Sequence, residues 1–565
     1  MLAGYVAIAC AYFGRSLLPH PGQKLIGLDP AADQRDPELF AWMFAWWPHA
    51  IASGINPFFT HAIYAPVGVN LEWTTSVPGL ALAFSPLTIL FGPVASFNVA
   101  QLLLPALSAW TAFLLCRYLT HSTWASVVGG YLFGFSSFAL AHVFGGDLNL
   151  TGVFVVPLIA LALARYLRGE LGRRGLAWRL GLLLACQLWI STEVAVTLTF
   201  MLVAGLVLGL ALVRDARRRI VSSLPPIVVG YAAAATLAAP LLVYAWKGPR
   251  PEGFANQFSS SDLLNLVLPT RLIALGGAAF ASVSSAFTPP NDYERGLYLG
   301  LPALAIVLLL AIRARRSAAV RWLLAELVLA IVFASGSALH VDGRRMFALP
   351  WRLVARAGTL DNLEPARFAL YAALASAVAV ALWIGGSRGR IFSRPAVLPA
   401  LAVAALVPAV FLHGSWARAP QRWPFFTDKL YELCIPKGET LAIFPFGRWG
   451  DSMLWQAESG FRFDLAEGDA GRDTYPQTFV FTPVAAELQF EFPDKVPTMG
   501  QLSAFAKTHR VDRFVSVQID DPPDGYPTGS EMNAFRPVQY LGGVVVAPAC
   551  GYDSLAGDTR RIPGQ

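Results

Sequence analysis

The chain is 565 residues long, 55% hydrophobic and only 14% charged, with a mean hydropathy of +0.51. Soluble domains carry roughly 25% charged residues and disorder needs low hydrophobicity, so both classes are excluded. Five cysteines exclude a disulfide-stapled scaffold, which leaves a polytopic membrane protein.

The net charge of +7 is a sum of two unlike parts. Ser415–Gln565 holds 14 basic against 19 acidic residues, and the rest of the chain 29 against 17. In that larger part, arginines cluster between apolar runs. The clusters are Arg117; Arg165, Arg168, Arg173, Arg174 and Arg179; Arg214, Arg217, Arg218 and Arg219; Arg313, Arg315, Arg316 and Arg321; and Arg388, Arg390 and Arg394. Only Glu170 and Asp215 accompany them, and the positive-inside rule makes these five segments cytoplasmic. The positive charge follows the membrane and does not indicate nucleic acid.

Eleven spans follow in chain order, from a cytoplasmic N-terminus. They lie near Leu2–Leu18, Ala95–Cys116, Trp124–Ala141, Leu150–Ala164, Leu180–Ile190, Val194–Val213, Val221–Trp246, Gly296–Ile312, Trp322–Gly336, Ala366–Ile384 and Val397–His413. A signal peptide is the competing reading of the first, but no cleavage-like small-residue motif follows it. Leu180–Val213 is 34 residues, ~51 Å as one helix against a ~30 Å hydrocarbon core. Both its flanks are Arg-rich, so it crosses twice, turning at Ser191-Thr192-Glu193. Val77–Gly92, broken by Pro78 and Pro86, is laid in the outer interface, and Leu272–Thr288 is read as loop.

The expected fold is an all-α polytopic membrane domain over 1–414, with a large outer loop at 19–94. A C-terminal extracytoplasmic α/β domain follows over 415–565. In that domain Thr440–Phe444 and Gly542–Ala547 read as strands, and Cys434 and Cys550 can pair.

The outer loops carry the chemistry. Asp36-Pro37-Glu38 starts a helix: Asp caps, Pro fits the first turn, and Glu favours the positive dipole end. Phe40, Met43, Phe44 and Trp47 then recur at helical spacing and give an apolar face expected to lie along the membrane surface. Gly54-Ile55-Asn56-Pro57-Phe58 turns the chain. The pattern Asp36…Phe40…Gly54-Ile55-Asn56-Pro57-Phe58, after a first span and before a Pro-led interfacial helix, resembles the GT-C superfamily of polytopic glycosyltransferases. Protein O-mannosyltransferases, lipid A aminoarabinose transferases and bacterial lipopolysaccharide-core galacturonosyltransferases belong to it. The layout match covers roughly Met1–Val213. The acid pair of that superfamily is absent, since Pro37 follows Asp36.

The resemblance implies sugar transfer from a polyprenyl-phosphate donor to a glycan, lipid or protein acceptor at the outer face of the bacterial cytoplasmic membrane. Such a reaction asks for a carboxylate to deprotonate the acceptor hydroxyl, and one base alone gives inversion. It also asks for Arg, Lys or a divalent cation on the departing phosphate. Asp36 is the candidate base. Asp147, in the next outer loop, is the second catalytic acid, orienting the acceptor or sharing a divalent cation with Asp36. Glu72, His142, Glu193, Arg367, Arg356 and Arg352 are the candidate substrate-binding residues. The alternatives are a flippase or transporter for lipid-linked saccharides and a polysaccharide polymerase. The acids gather in outer loops rather than at mid-bilayer, which favours a surface site over a translocation path.

Overall fold

A computed structural model describes residues 1–17, 20–27, 36–248, 260–354, 363–386, 396–412, 414–471, 475–476, 479, 482–491, 497–519, 526, 532, 535 and 537–550. Two compact units result. One comprises Met1–Ala32, Thr75–Gly248 and Gly253–Ala419; the other comprises Asp33–Thr74, Pro249–Glu252 and Pro420–Gln565. The arginines at 388, 390 and 394 lie outside the described residues.

The first unit is helical. Among the described residues six helices are long and apolar enough to cross a membrane: Ser85–Thr120, Thr123–Gly145, Leu148–Leu167, Thr192–Leu212, Arg214–Leu237 and Pro365–Gly386. Shorter apolar helices lie at Leu2–Gly14 and Leu301–Arg313. The protein is therefore an integral membrane protein. Further helices at Arg173–Ile190, Ala318–Ala334 and Val397–Ala404 occupy three more of the expected positions.

Two ambiguous stretches resolve on local chemistry. The long run through Leu180–Val213 breaks at Ser191, whose hydroxyl caps the following helix by accepting from the Val194 amide at 3.3 Å. In the region assigned to the interface, a helix at Pro78–Ala83 leads into Ser85–Thr120, and the latter kinks at Gly92 (φ 83°, ψ 166°). Pro93 has no amide to complete the helical ladder there, so the Gly-Pro pair sets the bend. Ile89, Leu90 and Phe91 are exposed just before it. Residues 271–288 form turns with a single helical turn at Ala281–Ser284.

The second unit is built on a five-stranded sheet: β1 Thr440–Phe444, β2 Asp464–Leu465, β3 Arg513–Val517, β4 Gln539–Leu541 and β5 Val544–Ala547, in the order β4-β5-β3-β1-β2. β1 runs parallel to β2 and β3, while β5 is antiparallel to β3 and β4. β1 is buried from Leu441 to Phe444, as its continuous apolar run requires of a central parallel strand. Cys434 and Cys550 are disulfide-bonded.

The loop carrying Asp36 groups with this second unit rather than with the membrane helices. Its helix, Asp36–Ala52, is not amphipathic at a membrane surface: Pro37 through Trp47 are all buried. A helix apolar on every side needs partners on every side, and some of these come from the C-terminal part. Trp42 stacks on Trp46, and its indole donates to Gln456 Oε1 at 2.7 Å. Gln456 in turn donates to the Ala62 and Phe463 carbonyls. The Ala65 amide donates to Leu465 and the Leu465 amide to Ala62, extending the β2 edge of the sheet.

Glu467 shares this core. It is fully buried, accepts from the Ile443 amide at 3.1 Å, and burial pushes its carboxyl up to about 8. A raised carboxyl favours the folded state while protonated. Its contribution is therefore complete below the ordinary value of 4.5 and is lost as pH rises through about 8. Glu467→Gln is neutral throughout and is expected to abolish that loss, on the order of 4 kcal/mol in the basic limit. Hydrogen exchange of the β1 amides in the full-length protein, followed from pH 5 to pH 9 with correction for intrinsic rates, measures it. Equal pH dependence in wild type and variant would contradict it.

Candidate active site

The first unit gathers ionisable side chains from four separated segments. The helix Ser137–Gly145 ends in a left-handed Gly146 (φ 86°), and the amides of Gly146 and Asp147 both donate to the His142 carbonyl. This reversal folds the Asp147 carboxylate back onto its own helix, 2.7 Å from His142 Nδ1. A carboxylate partner there holds the proton on Nδ1. His142 is 1% exposed and its ring packs edge-on against Phe138, 4.4 Å away.

The second contribution is the turn Asp292–Glu294. Arg295 braces it, donating to the Ser285, Phe287 and Pro289 carbonyls and pairing with Asp292 at 2.9 Å. Arg271 pairs with the other Asp292 oxygen. Close approach of this turn to the first helix depends on Gly145, where a Cβ would fall 2.9 Å from both Asp147 Oδ2 and the Tyr293 Cβ.

Arg367 draws in the remaining segments. Its Nε donates to Glu193 at 3.3 Å, Nη1 donates to Glu294, and Nη2 forms an ion pair with Glu364 at 2.9 Å. Glu193 also accepts from the Glu364 amide at 3.3 Å. Just beyond, the hydroxyls of Thr197 and Tyr371 meet at 2.8 Å and fasten the two helices together. Burial pushes the Glu294 carboxyl up, to about 7, against the opposing pull of Arg367. Asp147 and Glu193 add to that rise, so the four carboxylates form one electrostatic group around a single guanidinium.

Four expected site residues thus come together: Asp147, His142, Glu193 and Arg367. Glu294 and Glu364 join them and were missed as site residues; the acidic run Asp292-Tyr293-Glu294 before an apolar segment was the available sign. Asp36 and Glu72 belong to the second unit. Asp36 opens its helix half-buried. Glu72 follows an Asn70 cap, and burial pushes its carboxyl up to about 8, with one oxygen lacking a hydrogen-bond partner among the described residues. Arg352 is exposed in a single helical turn, Trp351–Val354, and Arg356 lies outside the described residues.

Among the described residues no group of three or more His, Cys, Asp or Glu side chains is arranged to hold a metal ion. In the first unit the acids converge on a guanidinium instead.

The fold is that of the GT-C glycosyltransferases. It is similar to an oligosaccharyltransferase from Archaeoglobus fulgidus (16% identity, TM-score 0.52, 91% of this chain and 67% of that one). It is also similar to the arabinofuranosyltransferase AftD from Mycobacteria (15%, 0.58, 98% and 40%) and to ArnT from Cupriavidus metallidurans (13%, 0.52, 99% of both). At such identities the likeness concerns fold. A search of curated proteins finds no match. Residues 1–410 match the model of a family described as a domain of unknown function, DUF6311, and the chain belongs to that family.

Proposed function

We propose that this protein transfers a sugar from a polyprenyl-phosphate donor to a glycan, lipid or protein acceptor, with inversion at the anomeric carbon. The reaction takes place at the outer face of the bacterial cytoplasmic membrane, on a chain crossing it eleven times from a cytoplasmic N-terminus. The observation that carries the reading is the coincidence of a GT-C fold with the buried cluster around Arg367 and Asp147. An archaeal relative in fold was solved with an inhibitory peptide and a dolichol-phosphate, which supports a lipid carrier and an acceptor as the two partners.

In this reading Asp36 takes the acceptor proton as the hydroxyl attacks the anomeric carbon and the lipid phosphate departs. Asp147, held in place by His142, orients the acceptor, and Glu193 and Glu72 bind sugar hydroxyls. Arg367 meets the substrate last of the arginines, because three carboxylates already engage its donors. Arg352 and Arg356 are then the groups for the donor phosphate. The anomeric configuration of the first-formed product, read by proton NMR, tests the single-base scheme: inversion is expected, and retention would overturn it.

A further inference from the structure

The segment that follows the helix Ala318–Ala334 is a two-stranded hairpin, Ala338–Val341 with Arg344–Ala348. It leaves that helix through Gly336 (φ 68°), two residues before the first strand. Its position is fixed from both sides. The buried Asp262 carboxylate accepts from the Leu264, Asp342 and Gly343 amides at 2.9, 3.1 and 2.7 Å, which clamps the turn. Beyond the second strand, Trp351 is wedged against Phe200, Phe333 and Phe368 at 5.6, 5.5 and 5.1 Å, tying the return to three helices of the membrane unit.

This rigid hairpin carries side chains unsuited to water. The whole second strand is exposed, Met346 and Phe347 at 59% each, and Leu353 just after it at 72%. Between them and the tip stand Arg344 and Arg345, neither paired with a carboxylate among the described residues; the exposed Asp342 is the one acid of the turn. Adjacent arginines beside exposed apolar side chains, held at the end of a span, have the composition of an interfacial anchor.

We propose that this hairpin inserts Met346 and Phe347 into the outer leaflet, with Arg344 and Arg345 on the phosphodiester headgroups of anionic bilayer lipids. The occupant is the bilayer lipid and not the polyprenyl-phosphate carrier, because both arginines stand on an exposed strand and neither belongs to the cluster around Arg367. The inference rests on membrane integration, takes its side of the bilayer from the expected topology, and stands apart from the glycosyltransfer reading.

The test uses full-length protein in nanodiscs, with a nitroxide at Phe347→Cys in a background of Cys10→Ser, Cys116→Ser and Cys186→Ser. Collision with oxygen against a water-soluble nickel chelate reports depth. In discs rich in phosphatidylglycerol the label is expected below the phosphate plane. Arg344→Ala/Arg345→Ala should move it outward, since each arginine at an anionic surface favours the bound state by about fivefold. Arg344→Lys/Arg345→Lys should keep it in place. Phosphatidylcholine discs should give the shallower position, unchanged by a trace of polyprenyl phosphate. A nickel-accessible label in every disc, or depth insensitive to the double alanine variant, would overturn the proposal. Depth restored by polyprenyl phosphate alone would overturn it as well, by making the hairpin a donor element.

Discussion

Arg367→Met is expected to destabilise the membrane unit by about 3–5 kcal/mol, the usual cost of removing one partner from a buried ion pair. The side chain is 8% exposed and holds Glu193, Glu294 and Glu364, which come from three separate segments. Without the guanidinium the buried Glu294 faces the half-buried Glu193 and Glu364 with no opposing charge from Arg367, and Asp147 adds to the repulsion. The loss should deepen as pH rises, because the buried Glu294 carboxyl, held up by burial, must then carry its charge without the guanidinium. Burial pushes the Glu294 carboxyl up, to about 7, even against Arg367, so the variant should be least impaired near pH 5. Adding Glu294→Gln should recover part of the loss. Scanning fluorimetry in detergent measures all three variants, and an unchanged midpoint for Arg367→Met would show that the carboxylates are solvated.

Asp36→Asn is expected to lower transfer by roughly 10²–10⁴-fold, the span of a lost general base. Folding should be retained, because Asn satisfies a helix start as well as Asp does, and the position is only half-buried. The variant separates the two roles its sequence context allows. Lost thermal stability with the residual activity of properly folded molecules intact would make Asp36 a cap and nothing more.

Much of this architecture was legible because it is written locally. Ser191 stops one helix and caps the next within a few residues. β1 announces itself as five residues, Thr440–Phe444, bounded by turn formers. The helix at Asp36–Ala52 shows the limit. Its start followed from capping chemistry, but its surroundings did not, because Gln456, the partner of Trp42, lies more than four hundred residues away in sequence. An aromatic helix beside a membrane span looks interfacial until the domain that covers it is known.

The site divides in the same way. Asp147 and His142 lie five residues apart on one reversal, so their meeting was within reach of local reasoning. Most of the company of Arg367 was not: Glu364 is three residues away on the same turn, but Glu193 and Glu294 reach it only through tertiary packing. Glu294 is the instructive omission. Arg295 beside it sends its donors to three carbonyls and Asp292, while the neighbouring acid reaches the cluster.

The central claim is that this chain turns over a lipid-linked sugar. Purified protein in nanodiscs, incubated with polyprenyl-phosphate sugars carrying a radiolabelled sugar, is the most direct measurement. The account predicts that at least one donor is consumed, with release of polyprenyl phosphate by wild type and not by Asp36→Asn. Equal release by wild type and Asp36→Asn, or movement of intact donor across the bilayer without cleavage, would contradict it.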